Sequence, residues 1–287
     1  MTRNRYPMKH TLTCLILFIY SIIFVGSVKS QTLSGKRYMP PLGVLSLTGG
    51  VGVAYYMGDL RTGRINKHLG LGPSVSIGAL YRLTEHFSAR GELRFYQVSA
   101  DQKYTPNYQQ NLSFKTFNPD LNLGIQADLF AYNRHAKFNP YLLGGVGVTY
   151  MTPKTKFDGD WISLAPLQTE GVKYNRLPLV FMLGAGFSTQ IAERWSLGME
   201  LVNNFVNSDY LDDVSTVYPD YSTLPNDLAR QLSDRSSEIG AIPQQPGWHR
   251  GRPARKDMYL FLQVRVNYLI GTRKEAHERR NVRCPRF

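Results

Sequence analysis

The sequence has few of the residues from which most metal centres and disulfides are built. It contains two cysteines, Cys14 and Cys284, and six histidines in 287 residues. Cys14 lies in an apolar run near the amino terminus that resembles a removable signal, so Cys284 is the one thiol expected in the mature chain. A single thiol excludes an intramolecular disulfide and a cysteine-based zinc cluster. We expect no metal, no cofactor and no catalytic centre.

Long apolar runs are missing after residue 30. The run Thr11–Val25 is about 15 residues long, whereas a membrane-spanning helix needs roughly 20. Three basic residues precede this run, and small residues follow it up to Ser30. This pattern predicts a secretory signal over Met1–Ser30, with Gln31 as the mature amino terminus. An uncleaved anchor is the alternative.

Acidic residues are outnumbered, with 21 Asp and Glu against 34 Lys and Arg, which gives a net charge of +13. Removal of the signal takes four positive charges and leaves +9. An exported protein is not expected to meet nucleic acid, so the excess favours contact with outer-membrane lipids or with an acidic protein partner.

The clearest pattern in the chain is the alternation over Ser74–Val98. Apolar Val75 and Ile77 alternate with small polar residues, and Arg90, Glu92 and Arg94 alternate with apolar ones. Because neighbouring side chains of a strand point to opposite faces, this predicts a hairpin with one apolar and one charged face. The short connection Thr84–Phe87 makes its strands antiparallel.

The same alternation recurs in eight segments, and the connections between them alternate between long and short. The long ones are Asp59–Leu69, Asp101–Lys115, Pro153–Arg176 and Asn207–Lys256, the last with a helix predicted near Asn226–Ser236. An even strand number with short periplasmic turns and long outer loops is typical of bacterial outer-membrane barrels. The predicted strands are Gly43–Met57, two within Ser74–Val98, Asp120–Leu129, Pro140–Met151, Leu179–Gln190, one opening at Trp195, and Asp257–Ile270.

These patterns predict an all-β fold, an eight-stranded antiparallel transmembrane β-barrel over residues 31–270. Residues 271–287 then form a short basic tail in the periplasm. A soluble sandwich or lipocalin-like barrel would turn its apolar face inward, but here the second face carries glycine, polar and charged residues in nearly every strand. Aromatic residues near strand ends are expected to form girdles at the membrane interfaces, namely Tyr55, Tyr56, Tyr81, Phe95, Tyr150, Phe187, Trp195 and Tyr268.

Eight charged residues fall on the face assigned to the barrel interior. Four are basic and four are acidic, so they can neutralise one another. Charges removed from water are tolerated when they are paired, and an eight-stranded barrel is only wide enough for side chains. We therefore predict lumen ion pairs rather than an open channel, formed by Arg82, Arg90, Glu92, Arg94, Asp120, Asp128, Glu200 and Arg265.

Two loop features could indicate chemistry. His86-Phe87-Ser88 resembles the His-x-Ser of lipid A deacylases, but it falls at a turn assigned to the periplasm, and no triad partner is evident. The acidic cluster of Asp209, Asp212, Asp213 and Asp220 lacks the 12-residue calcium-hand pattern, so solvated or paired acids are the preferred interpretation over calcium. The basic run His249–Lys256 could pair with these acids or meet lipid phosphates.

Three segments carry a family resemblance: Gly52–Leu60, with its Tyr-x-Gly-Asp-Leu ending, Asp209–Ser215, and Arg250-Gly251 followed by Lys256-Asp257 at the entry to the last strand. They resemble an outer-membrane barrel family of Bacteroidota that includes PorG, the barrel of the type IX secretion system. The resemblance implies a non-enzymatic barrel with no catalytic residues.

We therefore expect a structural or anchoring component of a type IX-like secretion apparatus that docks periplasmic or outer-membrane lipoprotein partners. A surface adhesin or ligand-binding barrel acting through the long outer loops is the alternative, and a lipid-modifying enzyme is a third. Because an odd cysteine in an exported protein suggests pairing between chains, we also predict a disulfide tether from Cys284 to a periplasmic partner.

Overall fold

The computed structural model describes residues 43–60, 70–131, 136–253 and 256–271. The predicted signal Met1–Ser30 and the tail with Cys284 lie outside these residues. The described residues form ten strands: β1 (Leu45–Met57), β2 (Gly72–Arg82), β3 (Phe87–Asp101), β4 (Ser113–Asp128), β5 (Phe138–Thr149), β6 (Lys154–Phe157), β7 (Asp160–Ser163), β8 (Leu179–Gln190), β9 (Trp195–Val206) and β10 (Met258–Gly271).

Eight of the ten strands close into an antiparallel barrel, as the alternation predicts. The order is β3-β2-β1-β10-β9-β8-β5-β4, and pairing of β4 with β3 completes the ring. Every neighbouring pair is antiparallel. Closure leaves no unpaired edge among these eight strands, which is the condition for strands to cross a bilayer. No helix in the described part of the chain is long and apolar enough to cross a membrane.

The two faces of the barrel wall differ sharply in exposure. In β4, Leu121, Leu123 and Ile125 are 54%, 64% and 45% exposed, whereas Asp120 and Asn122, which alternate with them, are each 1% exposed. Apolar side chains pointing outward around a polar interior are the arrangement that hydrocarbon selects, because lipid is the solvent outside. With the closed ring, this belt places the protein in the outer membrane.

Short connections lie at one end of the barrel and long ones at the other. At the β2–β3 turn, the Thr84 hydroxyl accepts hydrogen bonds from the backbone N–H groups of His86 and Phe87, at 3.2 and 2.9 Å. The β8–β9 turn is closed by a bond from Ile191 N–H to the Trp195 carbonyl. By the usual orientation of such barrels, these turns and the end of β10 face the periplasm.

The segment Asp101–Lys115 was expected to be a loop, and residues 102–112 of it are one, but the strands on either side extend further than predicted. β3 continues to Asp101 and β4 begins at Ser113, with two 3-10 helices, Gln102–Tyr104 and Tyr108–Gln110, between them. At the outer end of β4 the polarity of the two strand faces is reversed. The apolar Phe114 points inward and is 3% exposed, while the charged Lys115 points outward. The strands have left the membrane at this level, so the outward face meets water and the inward face packs.

The segment Pro153–Arg176 was also expected to be a loop, but it contains the β6–β7 hairpin and a 3-10 helix, Ala165–Leu167. β6 adds to the outer end of β4 through the pair Lys115 and Lys154. The predicted helix is shorter than expected. It is α1 (Asp227–Ser233), capped by the Asn226 side chain, and residues Ser236–Ile239 continue as a separate 3-10 helix; a further 3-10 helix is Tyr221–Thr223.

Aromatic side chains ring the barrel at both ends of the lipid-facing belt. Trp195 and Tyr268 contact each other near the periplasmic end with ring centroids 4.7 Å apart, and Phe95 stacks with Phe117 nearer the outer end at 6.3 Å. Tyr56 was wrongly assigned to this girdle. Its side chain points inward and is 3% exposed, because residue 56 has the parity of the inner face of β1.

Candidate functional site

The middle of the barrel interior holds a compact group of charged side chains, here called the lumen cluster: Arg90, Glu92, Arg94, Glu200 and Arg265. Arg90 joins the two carboxylates. Its Nε and Nη2 atoms lie 3.0 and 2.5 Å from Glu92 Oε2, and its Nη1 and Nη2 atoms lie 2.5 and 2.9 Å from the Glu200 oxygens. These charges are at most 4% exposed, so each depends on its partners rather than on water.

Two further arginines complete the lumen cluster. Arg94 Nη2 lies 2.7 Å from Glu92 Oε1, and Arg265 Nη1 lies 2.8 Å from Glu92 Oε2 and 3.6 Å from Glu200 Oε1. Glu92 therefore meets three guanidinium groups supplied by two strands. The Tyr141 hydroxyl adds a hydrogen bond to Glu200 at 2.9 Å. The cluster ties β3, β5, β9 and β10 together across the interior.

The other three predicted lumen residues lie apart from this cluster. Arg82 and Asp128 form a separate ion pair near the periplasmic end, where Gln126 also bonds Asp128 at 2.8 Å. Asp120 lies on the outer side of the cluster, opposite Arg94 in the strand register, and accepts a hydrogen bond from the Tyr259 hydroxyl at 3.1 Å. The structure thus brings five of the eight residues together and places the remaining three around them.

An aromatic layer covers the outer side of the lumen cluster, and the sequence reasoning missed it. Tyr96 stacks on Tyr259 with centroids 4.6 Å apart, Phe261 meets both rings edge-on, and the Arg94 guanidinium lies 4.1 Å from the centre of the Phe261 ring. The signal was present: Tyr259 and Phe261 continue the two-residue spacing of Gln263 and Arg265 toward the outer end of β10.

Beyond this layer the interior becomes apolar and merges with the long outer connections. Residues 150–178 and 207–253 fold over the outer end of the barrel and are called the outer cap. One hydrophobic cluster contains inward residues of the strands, such as Val98, Val180 and Val206, together with the cap residues Leu164 and Leu232. The cap and the upper barrel therefore share a single core.

A buried ion pair joins the two segments of the outer cap. Arg250 Nη1 lies 3.0 Å from Glu170 Oε1, and both side chains are 2% exposed. Glu170 also accepts hydrogen bonds from the backbone N–H groups of Ser215 and Thr216, at 2.9 and 3.1 Å. The basic run His249–Lys256 was predicted to pair with the aspartate cluster or to meet lipid phosphates. The carboxylate partner of its Arg250 is Glu170 instead, and the carbonyl of Asp213 accepts a second bond at 2.5 Å.

The aspartates of the predicted acidic cluster serve as separate anchors. Asp212 accepts from the Tyr56 hydroxyl and the Leu60 N–H, Asp213 from Thr169 and Tyr174, and Asp209 from Ser215. Asp220 accepts from the Ser222 N–H at 3.0 Å at a 3-10 helix start. Among the described residues, no group of three or more His, Cys, Asp or Glu side chains is placed to hold a metal.

Burial perturbs these carboxyl groups. Burial and the neighbouring Asp257 raise the pKa of Asp209 to about 8. Burial raises the pKa of Asp213 to about 6 against the opposing effect of Arg250. The pKa of Asp212 is raised well above its usual range by burial and by Asp257. Burial in the cap thus favours the neutral form of these carboxyls, most clearly for Asp209.

Asp257, the residue before β10, meets the same tyrosine as Asp212. The Tyr56 oxygen lies 2.8 Å from Asp257 Oδ1, and the other Asp257 oxygen accepts from the Leu211 N–H at 2.9 Å. Gly58 leaves the space for this approach, because a Cβ atom there would lie 1.9 Å from the Tyr56 hydroxyl and 2.0 Å from Asp257 Oδ1. The end of β1, the start of β10 and the cap are locked together here.

The His-x-Ser segment does not form a nucleophile–base pair. His86 Nδ1 lies 2.9 Å from the backbone carbonyl oxygen of Asp128. The Ser88 hydroxyl is buried on the inner face, and no hydrogen-bond partner for it lies within the described residues. Nucleophilic catalysis requires the base within hydrogen-bonding reach of the nucleophile. The geometry at this turn is that of a structural contact.

No family model and no curated protein sequence matches the chain. Solved outer-membrane barrels resemble it in fold. Neisserial surface protein A shares 10% identity with a TM-score of 0.41, covering 78% of this chain and 96% of that one. OprG of Pseudomonas aeruginosa shares 13%, with a TM-score of 0.40 and coverage of 81% and 98%. Ail of Yersinia pestis, solved with a heparin analogue, shares 11%, with a TM-score of 0.38 and coverage of 79% and 99%.

Proposed function

We propose that this chain is a non-enzymatic outer-membrane barrel that serves as a structural, anchoring component of a type IX-like secretion apparatus. The observation that carries the proposal is the filled interior: the lumen cluster, the aromatic layer above it and the outer cap follow one another along the barrel axis. Such an interior favours a rigid anchor over a solute channel. Outer-membrane lipids surround the apolar belt, and the partner surface is assigned to the periplasmic end.

The choice of apparatus is supported by where the family-like segments lie. Tyr56 and Leu60, from the first segment, bond to Asp212 of the second. Tyr56 also bonds to Asp257 of the third, and Arg250 of the third bonds to the Asp213 carbonyl. Segments far apart in sequence thus meet in one network that fixes the cap. A shared motif set of this kind suits the resemblance to the Bacteroidota barrel family that includes PorG.

Periplasmic or outer-membrane lipoprotein partners are the expected binding class. β10 ends at Gly271 on the side of the short turns, so the chain that follows begins in the periplasm. That segment carries six basic and two acidic residues, which favours an acidic partner surface. We include in the proposal a disulfide between Cys284 and such a partner.

The test is affinity capture from detergent-solubilised membranes of the native host, with the bound proteins identified by mass spectrometry. Wild type should retain periplasmic lipoproteins. A variant with Arg279, Arg280 and Arg283 changed to Gln should lose them, whereas a charge-matched variant with Lys154, Lys156 and Lys173 changed to Gln should keep them. Recovery of no envelope protein with wild type, or equal recovery with both variants, would overturn the anchoring function.

A second candidate, a surface adhesin or ligand-binding barrel, is favoured by one observation. The outer cap is internally anchored yet exposes large apolar side chains, with Ile239, Ile242 and Trp248 being 48%, 77% and 50% exposed. Binding of cells to an external surface should then depend on these residues and survive removal of residues 272–287. An anchor predicts the reverse dependence, so the two variants separate the functions.

A further inference from the structure

A group of basic side chains lies on the lipid side of the wall, just above the membrane-facing belt. Lys115 in β4 and Lys154 in β6 are directly paired across the two strands. Lys156 lies two residues further along β6, and Trp161 of β7 is its cross-strand partner. Opposed residues of an antiparallel pair point to the same side, so these four side chains share one surface, here called the basic rim.

The orientation of the basic rim follows from the residues between its members. Thr155 is 2% exposed and accepts a hydrogen bond from Arg235 Nη1 at 2.7 Å, so it faces the cap core. Lys154 and Lys156, on either side of it, are exposed. In β4, Phe114 and Thr116 are buried, which leaves Lys115 on the outer side together with Phe117. The basic rim therefore faces away from the barrel axis.

Its height relative to the bilayer is set by Phe117, which is 56% exposed and stacks with Phe95 in the outer girdle. Lys115 is two residues further out along β4, a rise of roughly 7 Å. Aromatic girdles mark the level of the lipid head groups. The three ammonium groups thus lie at and just above the head groups of the outer leaflet.

The charges of the basic rim are not balanced by the protein. Like charges directly opposite each other destabilise a strand pair, and Lys115 and Lys154 are such a pair. Within the described ranges, none of the three lysines forms an ion pair, although Asp158 and Asp160 lie at the tip of the same hairpin. Lys115 Nζ lies 5.4 Å from the centre of the Trp161 ring, a contact that leaves its charge without a counter-ion among the residues described.

We propose that the basic rim binds the phosphate groups of an outer-leaflet glycolipid. A phosphate between Lys115 and Lys154 would convert their repulsion into two charge-assisted hydrogen bonds. Lys156 would meet a second anionic group further out, and Trp161 would pack against the sugar. A free phosphate ion offers the same charge, but the site adjoins the lipid-facing Phe117 and so selects an anion that carries acyl chains. The inference is independent of the secretion function.

The test uses the full-length protein in detergent and native mass spectrometry with three probes: diphosphorylated lipid A, the same lipid after phosphatase treatment, and inorganic phosphate. Wild type should bind the first in preference to the other two. Lys115→Gln with Lys154→Gln should weaken that binding by about thirtyfold, the factor expected if each lysine contributes as a typical one does near an anionic surface. The double arginine variant at the same positions should retain it.

The control removes the same charge elsewhere. Lys137, before β5 at the periplasmic end, and Lys173, in the outer cap, are both exposed, and their double Gln variant should bind as wild type does. The shift of the folded barrel on unheated gels shows that each variant is folded. Equal binding of lipid A before and after phosphatase treatment, or equal losses in the two double Gln variants, would overturn the site. Binding of inorganic phosphate as strong as that of lipid A would overturn the assignment to a lipid.

Discussion

The Tyr56 hydroxyl donates a hydrogen bond to Asp212 across 156 residues of chain, with 2.6 Å between the two oxygens. Tyr56 belongs to the first strand of the barrel and Asp212 to the longest outer connection. Because both side chains are buried, the bond is shielded from water and fixes the cap to the barrel wall. The long connections are therefore part of the folded body, and their stability depends on specific buried polar contacts.

Replacing Tyr56 with Phe should loosen the outer cap while leaving the barrel closed. The change removes the hydroxyl that bridges the buried carboxyl groups of Asp212 and Asp257, and leaving such groups unsatisfied costs about 1–3 kcal/mol. Limited proteolysis in detergent should show faster cleavage within 207–253, while the barrel keeps its folded mobility on unheated gels. Tyr55→Phe is the matched control, because Tyr55 lies on the opposite face of β1. Equal cleavage rates in the two variants would contradict the anchoring function of Tyr56.

In the lumen, Glu92→Ala or Arg94→Ala should destabilise the barrel more than Leu93→Ala. Glu92 forms ion pairs with three arginines, and breaking a buried pair from one side costs roughly 3–5 kcal/mol. Leu93 is 38% exposed on the lipid side, so its truncation leaves no sealed cavity. Urea unfolding monitored by tryptophan fluorescence in lipid vesicles gives the comparison. The greatest loss at Leu93 would mean that the inner and outer faces are exchanged.

The barrel could be predicted from the sequence because its signal is local. Alternation over ten or so residues fixes which side chains meet lipid, and the lengths of the connections fix the topology. Residue type alone did not predict the position of Tyr56. It is an aromatic residue near a strand end, but its even position in β1 places it inside. Parity decides the face, and it outweighs the preference of tyrosine for the interface.

The outer cap could not be predicted in the same way, because its contacts are distant in sequence. Glu170 and Arg250 are 80 residues apart, and neither lies in a periodic segment. The extension of β4 to Ser113 was missed for a related reason. Above the membrane, Lys115 faces outward and Phe114 inward, so the polarity of the two faces is the reverse of that in the belt, and a search for outward apolar residues stops at the girdle.

The topology predicts different labelling of the two ends of the barrel. In a Cys284→Ser background, Ile242→Cys should react with a membrane-impermeant maleimide on intact cells, because Ile242 is 77% exposed in the outer cap. Glu193→Cys, in the β8–β9 turn, should react only after the outer membrane is permeabilised. Labelling of Glu193→Cys but not of Ile242→Cys on intact cells would show that the assigned orientation is reversed.

Cys284 should carry a disulfide to a partner in the periplasm. Thiols seldom persist in that oxidising compartment, and nearby arginines favour the reactive thiolate. Non-reducing gels of native membranes should show a high-mass band that is present in wild type and absent from Cys284→Ser. Reduction should release the monomer from it. A wild-type monomer whose thiol is fully alkylated in unreduced cells would contradict the predicted disulfide.

The outer cap should become less stable as the pH rises from 6 to 9. The pKa of Asp209 is raised to about 8 by burial and by the neighbouring Asp257, Asp59 and Glu170, whereas in an opened cap it would return to about 4. The folded cap therefore holds a proton that the opened cap releases, and its stability is fully present below the lower value and lost as the pH passes the higher one. The loss should be about 1–2 kcal/mol, allowing for screening near the surface.

This change can be measured from the rate of proteolysis of the cap. The rates of wild type and variants are compared at the same pH, so the pH dependence of the protease itself cancels. Asp209→Asn should remove most of the difference between pH 6 and pH 9. Asp220→Asn should not, because hydrogen bonds from Ser222 lower the pKa of the exposed Asp220 and it titrates below this range. Asp213, whose pKa is raised to about 6 by burial, is largely ionised by pH 7 and so contributes little to the change above that pH. A cap that resists cleavage equally at pH 6 and pH 9 in wild type would show that Asp209 is already ionised in the folded state.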